Sequence, residues 1–281
     1  MEIGKYSVYR LDTGRFRLDG GAMFGVVPKV LWEKKHPADE KNRIHMALNT
    51  LLIVGEGRVV LVDTGIGDKW NEKLASIYGV DHSRFSLMKA LLEHNIQPED
   101  VTDVILTHLH FDHVGGATYY DESGELKLRF PEATHYVQKS QLEWSQKRFE
   151  KDRASYLQEN IDPLVNSGKL RVLDGPATVA PGIELLVTGG HTPGQQLTLV
   201  SGDDKKLLYA ADLIPLHSHV AIPWVMAYDL YPVTTIREKK EILARAAEEN
   251  WMIFFEHDPE IYCATVVMGK KGYEIREKIL L

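Results

Sequence analysis

Thr107-His108-Leu109-His110-Phe111-Asp112-His113-Val114-Gly115-Gly116 is the stretch around which the rest of the chain reads. Three histidines and an aspartate fall within six positions, directly after Val101-Thr102-Asp103-Val104-Ile105-Leu106, a run that reads as a buried strand. A strand ending in such a cluster delivers ligands at its carboxyl end, where open α/β sheets place their sites. His108 and His110 are two apart on extended chain and point to one side. Asp112 and His113 are adjacent, point to different sides and can serve a second centre. Imidazole and carboxylate suit zinc, manganese or iron better than copper(I). A lone catalytic zinc takes three protein ligands and keeps one position open. Four candidates in one loop exceed that, so a second metal and further ligands are expected. The plain alternative is a polar loop of solvated or hydrogen-bonded histidines.

Three later strand ends supply the further ligands. Leu185-Leu186-Val187-Thr188 leads through Gly189-Gly190 to His191, with Pro193 stiffening the turn. Leu207-Leu208-Tyr209-Ala210-Ala211 leads to Asp212, and Met252-Ile253-Phe254-Phe255 leads to Glu256-His257-Asp258. One such histidine alone reads as a hydrogen-bonding residue. Together the strand ends give seven candidates: His108, His110, Asp112, His113, His191, Asp212 and His257. That is enough for two divalent metals sharing a carboxylate.

The bulk properties narrow the classes. With 281 residues, 44% of them hydrophobic and 26% charged, the chain reads as a soluble globular protein. It is treated as a single domain over 1–281, because no linker, repeat or low-complexity tract interrupts it. A formal net charge of −7 and the lack of a Lys/Arg run argue against a nucleic-acid partner. The lone cysteine, Cys263, cannot form an internal disulfide, which fits a reducing compartment and a cytoplasmic location. No apolar run is long enough to span a bilayer, and Met1-Glu2-Ile3-Gly4-Lys5 does not open a signal peptide.

Strand and helix signals alternate along the chain. Residues 6–18 read as two short edge strands turning near Gly14, and Ala22–Pro28 as an apolar loop broken by Gly and Pro. Runs 48–54 and 59–62 read as a hairpin whose second strand ends in Asp63-Thr64-Gly65. Asp63 there either orients a metal ligand from behind or caps a turn. Residues 84–95 read as an amphipathic helix with Ser83 as N-cap, 139–159 as a surface helix or helical arm, and 234–249 as a long helix. Further strands are expected at 134–138, 169–173, 183–188, 197–200, 207–211 and 252–255. Two comparable halves of strands flanked by helices predict an α+β fold, a four-layer αββα sandwich.

The motifs His108-Leu109-His110-Phe111-Asp112-His113, then His191, Asp212 and His257, with Val62-Asp63-Thr64-Gly65 ahead of them, resemble the metallo-β-lactamase-fold hydrolases over nearly the whole chain. That resemblance implies that His108, His110 and His191 bind one metal, that Asp112, His113 and His257 bind the other, and that Asp212 bridges them. The wording looks most like the branch that opens acyl homoserine lactones, and like related phosphotriester hydrolases. Two positions depart from that branch. Pro215 stands where it usually carries a tyrosine, and Gln195 where a further histidine is common.

The expected chemistry is hydrolysis of a small ester-type molecule, most simply a lactone. Two metals about 3.5–4 Å apart can share a hydroxide and polarise the scissile oxygen, so no side-chain nucleophile is needed. Zinc is the expected metal, with manganese, iron or cobalt as alternatives. Asp112 is the candidate to orient the hydroxide and pass its proton to the leaving group. The apolar stretch Leu213–Tyr228, with Met23, Phe24, His217 and Trp224, is the candidate substrate pocket. A phosphotriester or a thioester of the glyoxalase II type is the alternative substrate. The alternative class is an oxidoreductase resembling persulfide dioxygenases, with one iron held by two His and an Asp. The only partner expected is a small-molecule substrate, and the assembly to test is a homodimer.

Overall fold

The computed structural model describes residues 1–281. Its strands, in chain order, are β1 Glu2–Ile3, β2 Tyr6–Asp19, β3 Arg43–Gly55, β4 Arg58–Val62, β5 Asp103–Ile105, β6 Thr118–Tyr120, β7 Leu126–Leu128, β8 Thr134–Gln138 and β9 Leu170–Leu173. They continue as β10 Ala177–Ala180, β11 Ile183–Thr188, β12 Gln195–Ser201, β13 Lys206–Tyr209, β14 Met252–Phe254, β15 Cys263–Gly269 and β16 Gly272–Lys278. Two seven-stranded sheets result, ordered β1-β2-β3-β4-β5-β8-β9 and β10-β11-β12-β13-β14-β15-β16, with β6 and β7 forming a separate hairpin.

The period-2 pattern of the strands explains the layering. In β3 and β4, Leu51, Ile53, Val60 and Val62 face a core shared with Leu197, Leu199, Tyr209 and Phe254 of the second sheet. The intervening Leu52 and Leu61 face outward, under Leu87 and Leu91 of helix Leu87–Glu93. On the far side of the second sheet, Ile242, Leu243 and Ala246 of helix Pro232–Glu248 close the core. Strands buried on both faces read as near-continuous apolar runs, as these do. The layers run helix, sheet, sheet, helix, the αββα sandwich of an α+β fold.

Several local expectations are corrected. Residues 6–18 form one long strand, because a register shift between Asp12 and Arg15 absorbs Gly14 without a reversal. The start of the Ala22–Pro28 stretch lies in a one-turn helix, Gly20–Phe24, whose first turn is capped by the Asp19 carboxylate. The N-cap of the next long helix is Ser86, three residues after Ser83, and it accepts from Lys89 N. The 139–159 segment is a helix only to Lys147; Arg148 adopts left-handed backbone, and a new helix begins at Gln158. The hairpin between β3 and β4 turns on Glu56 and Gly57, both at positive φ, the pairing that two-residue hairpin turns favour.

Candidate metal centre

Each candidate ligand leaves its strand through a turn that the sequence builds locally. After β5, Thr107 donates from its backbone N and from Oγ1 to the two Asp63 carboxylate oxygens, each at 2.7 Å. His110 then opens the one-turn helix Phe111–Val114, which carries Asp112 and His113. Gly115 and Gly116 let that turn sit against the loop after β4. A Cβ on Gly115 would fall 2.2 Å from Ile66 O, and one on Gly116 2.2 Å from Thr64 O. His191 follows β11, at the start of helix Pro232–Glu248, where the Glu238 carboxylate accepts from Gly189 N and Gly190 N. Asp212 lies in the turn after β13. His257, after β14, is pinned by His257 N donating to Pro215 O and Ala47 N donating to His257 O, each at 3.0 Å.

These four strand ends meet. The ligand atoms of His108, His110, His191 and Asp212 all lie within 4.8 Å of one another, as do those of Asp112, His113 and His257. Asp212 stands between the groups. Its Oδ2 is 3.1 Å from His191 Nε2 and 3.8 Å from His108 Nε2, and its Oδ1 is 3.2 Å from His257 Nε2. Asp112 Oδ2 lies 3.6 Å from His257 Nε2 and 3.7 Å from His113 Nε2. His110 turns Nδ1 toward His108 Nε2 at 3.0 Å and His191 Nε2 at 3.2 Å.

The donor set fits two divalent cations on the structure's own terms. His113 Nε2, His257 Nε2 and Asp212 Oδ1 are buried without a hydrogen-bond partner, and all three face the convergence point. Buried polar atoms are rarely left unpaired, and a cation would satisfy all of them together. Burial, then the neighbouring imidazoles of His113 and His191, hold His108 and His110 well below the ordinary histidine range, in the neutral form that binds metal. Burial opposes charge on His113 and His257. The carboxylates of Glu256, Asp112 and Asp212 nonetheless raise His113 well above its usual value, and Asp212 leads in bringing His257 to about 9. Those acids hold positive charge wherever it is available.

Four of the five outer ring nitrogens are fixed; the fifth, His110 Nε2, is buried without a partner. His108 Nδ1 meets Thr107 Oγ1, His113 Nδ1 meets Asp63 Oδ2, His191 Nδ1 meets Asp229 Oδ1 and His257 Nδ1 meets Ala47 O, each at 3.0 Å. Such partners set ring orientation and basicity. Glu256 Oε2 also approaches His113 Nδ1 at 3.0 Å, and burial raises this carboxyl to about 8. Asp229 carried no sequence signal, since it lies in a loop with no strand before it.

The metal-ligand candidates open onto a cavity of about 340 Å³. Its apolar wall includes Leu18, Met23, Met46, Phe111, Met226 and Tyr228, and Tyr78 lies there too. Of the four pocket candidates, Met23 lines it and the other three do not. Phe24 is buried between Trp32, His36 and His219. Trp224 stands edge-on to Phe24, and His217 faces away to bond Asp258. His219 is buried and bonds Met23 O. The 213–228 stretch reaches the cavity only at its end, where Lys151 Nζ donates to Ala227 O at 2.7 Å and Tyr228 O at 3.3 Å. Sequence reading missed Tyr78 and Lys151, which come from a short helix and a loop; Tyr228, the last residue of the 213–228 stretch, does line the cavity.

A two-sheet sandwich whose strand ends gather five histidines and two aspartates is a metallohydrolase architecture. Residues 46–257 match the metallo-beta-lactamase superfamily, and the chain belongs to it. A solved probable metal-dependent hydrolase from Staphylococcus aureus is 32% identical, with a TM-score of 0.89 and all of both chains covered. An N-acyl homoserine lactonase of Bacillus cereus is 26% identical over 231 residues, 78% of this chain and 84% of that protein. A second, from Bacillus sp, is 30% identical over 167 residues, 58% of each chain. The structure of AidC, described as a dizinc quorum-quenching lactonase with bound product, has the same fold at 22% identity, a TM-score of 0.80, and 100% and 97% of the two chains covered. No helix of the chain is long and apolar enough to cross a membrane.

Proposed function

We propose that the chain acts as one lactonase domain, opening small lactones with two zinc ions. The observation that carries this reading is the placement of Asp212 between two groups of histidine ligands at the floor of an apolar cavity. In this reading His108, His110 and His191 hold one ion, Asp112, His113 and His257 the other, and Asp212 both. When bound, the pair supplies Lewis acidity at the ester oxygen and lowers the pKa of a water molecule toward neutrality.

The chain's own residues do the rest. Leu18, Met23, Met46 and Met226 hold the apolar part of the substrate; methionine adapts to varied chains. Asp112 turns Oδ2 to His113 and His257, which leaves Oδ1 to take the proton lost by the attacking water and pass it to the leaving alkoxide. Tyr228, 36% exposed in the cavity wall, offers a hydroxyl to the substrate; burial keeps that hydroxyl protonated by raising it above the usual tyrosine value. Asp63 and Asp229 hold His113 and His191 in register. The lone cysteine, free and buried, supports a cytoplasmic location in this reading.

Phosphotriesters and thioesters remain the alternative substrates within hydrolysis. A single-iron oxidoreductase would use only three of the seven donors and leave the other four, Asp112, His113 and His257 among them, without a metal to hold. The test is a metal-loaded panel of acyl lactone, thioester and phosphotriester substrates, run on wild type and His110→Ala. Lactone turnover that falls at least a hundredfold in His110→Ala supports the reading. Oxygen consumption with one bound iron, or preferred turnover of another ester, overturns it.

A further inference from the structure

A second cavity, of about 570 Å³, adjoins the metal cleft of about 340 Å³. It lies between the loop after β4 and the 148–160 segment, and Ala154 lines both cavities. Its apolar side is Ile66, Trp70, Leu74 and Leu157. Its polar side is unusual for a chain of net charge −7. Arg148 and Arg153 line it, and neither guanidinium makes a hydrogen bond or an ion pair with the protein. The one acid in the lining, Glu159, already accepts from Tyr120 Oη at 3.1 Å. Asn160 is only 2% exposed, lines the cavity, and its side-chain amide bonds nothing in the protein. Lys69 Nζ donates to Gly115 O and to Thr118 O at 2.8 Å, which leaves a third donor for the cavity. Arg148 also occupies a left-handed helix C-cap, where glycine or asparagine is the common choice.

We propose that this cavity is a second binding site, for a small organic acid with an apolar tail. Planar guanidiniums match a carboxylate with two parallel N–H donors, and a buried amide supplies a donor and an acceptor beside them. The apolar side then takes the tail. A bare inorganic anion would leave Ile66, Trp70 and Leu74 uncovered. The site shares walls with the metal cleft. Trp70 packs edge-on to Phe111, and Tyr156 edge-on to His110, at centroid distances of 5.4 and 4.8 Å. Hydrolysis of a lactone yields a carboxylic acid, so the product class of the reaction proposed above is also the ligand class here; that link alone rests on the lactonase reading.

The experiment titrates metal-loaded protein with octanoate while following the Trp70 indole N–H by NMR, assigned with Trp70→Phe. Comparison titrations use octanamide and inorganic phosphate. Saturable octanoate binding that weakens at least tenfold in Arg148→Ala/Arg153→Ala, and at least tenfold with octanamide or phosphate, supports the site. Leu74→Trp, which fills the apolar side, should weaken octanoate as well. Octanoate binding unchanged by the arginine pair, or equal binding of phosphate, overturns it. Octanoate binding that leaves the Trp70 signal unmoved would put the ligand elsewhere, the metal cleft included, which also overturns it. All these readouts are independent of turnover, so an enzyme inactive on lactones would sink the functional reading and leave this one standing.

Discussion

One carboxylate, that of Asp229, ties His191 to the wall of the cavity above the metal-ligand candidates. Asp229 Oδ1 lies 3.0 Å from His191 Nδ1, and its Oδ2 accepts from Met226 N at 3.1 Å. The group that orients a candidate ligand ring is thus the group that fixes Met226 in the cavity wall. Asp229→Asn keeps the shape but removes the charge behind the imidazole. Loss of such a partner costs about 10–100-fold in metal affinity. Competition against a chromophoric chelator should show that drop with an unchanged circular dichroism spectrum. An unchanged affinity would mean that Asp229 serves only the loop.

Metal removal should destabilise the fold itself. The four strand ends that meet at Asp212 belong to both sheets, and the orphaned nitrogens of His113 and His257 are buried there. An ion that binds the native state alone, present at about 1,000 times its Kd, stabilises by about 4 kcal/mol. For a chain of this size that is on the order of 10 °C in Tm. Calorimetry of chelator-treated and metal-reloaded protein checks it. Coincident transitions would place the histidines away from any folded-state metal.

The metal-ligand candidates were legible because each follows a run whose apolar pattern announces a buried strand. Asp63 was legible for the same reason. Asp229, Tyr78 and Lys151 were not, because they reach the site from loops or a short helix whose position depends on tertiary packing. Phe24, Trp224 and His217 misled for a related reason. An apolar stretch beside a ligand says that something is buried, not which face it turns. Trp224 turns to the aromatic cluster because Lys239 Nζ takes its carbonyl at 2.7 Å, along with those of Ala221 and Ile222. The long strand β2 was read as two because a bulge at Gly14 and a turn there look alike in one dimension.

The glycines after the histidine motif should tolerate no side chain. A methyl on Gly116 would stand 2.2 Å from Thr64 O, so either the ligand turn or the loop after Asp63 must move. Overpacking of this kind costs about 1–3 kcal/mol. Gly116→Ala should lower the unfolding free energy by that amount and weaken metal binding as well, because Thr64 N and Thr64 Oγ1 both donate to His113 O. Urea unfolding with and without metal separates the two effects. A variant as stable and as tightly metallated as wild type would show that the turn yields freely.

The buried ammonium of Lys239 should leave a signature in the pH dependence of stability. Its Nζ sits against the three carbonyls of 221–224, and burial lowers it from 10.5 to about 7, with Asp229 opposing the shift. Between pH 7 and 10.5 the unfolded chain therefore binds a proton that the folded chain does not. Stability from this group rises with pH across that window, by at most about 1.4 kcal/mol per pH unit. Below pH 7 the lysine is charged in both states and its contribution is flat. Lys239→Met keeps the aliphatic stem and removes the titration. Urea unfolding of both proteins at pH 7, 8 and 9 should show the wild-type advantage growing with pH, other groups cancelling in the difference. Parallel pH profiles would mean that the lysine keeps an ordinary pKa, and that the carbonyls of Ala221, Ile222 and Trp224 solvate its charge fully inside the fold.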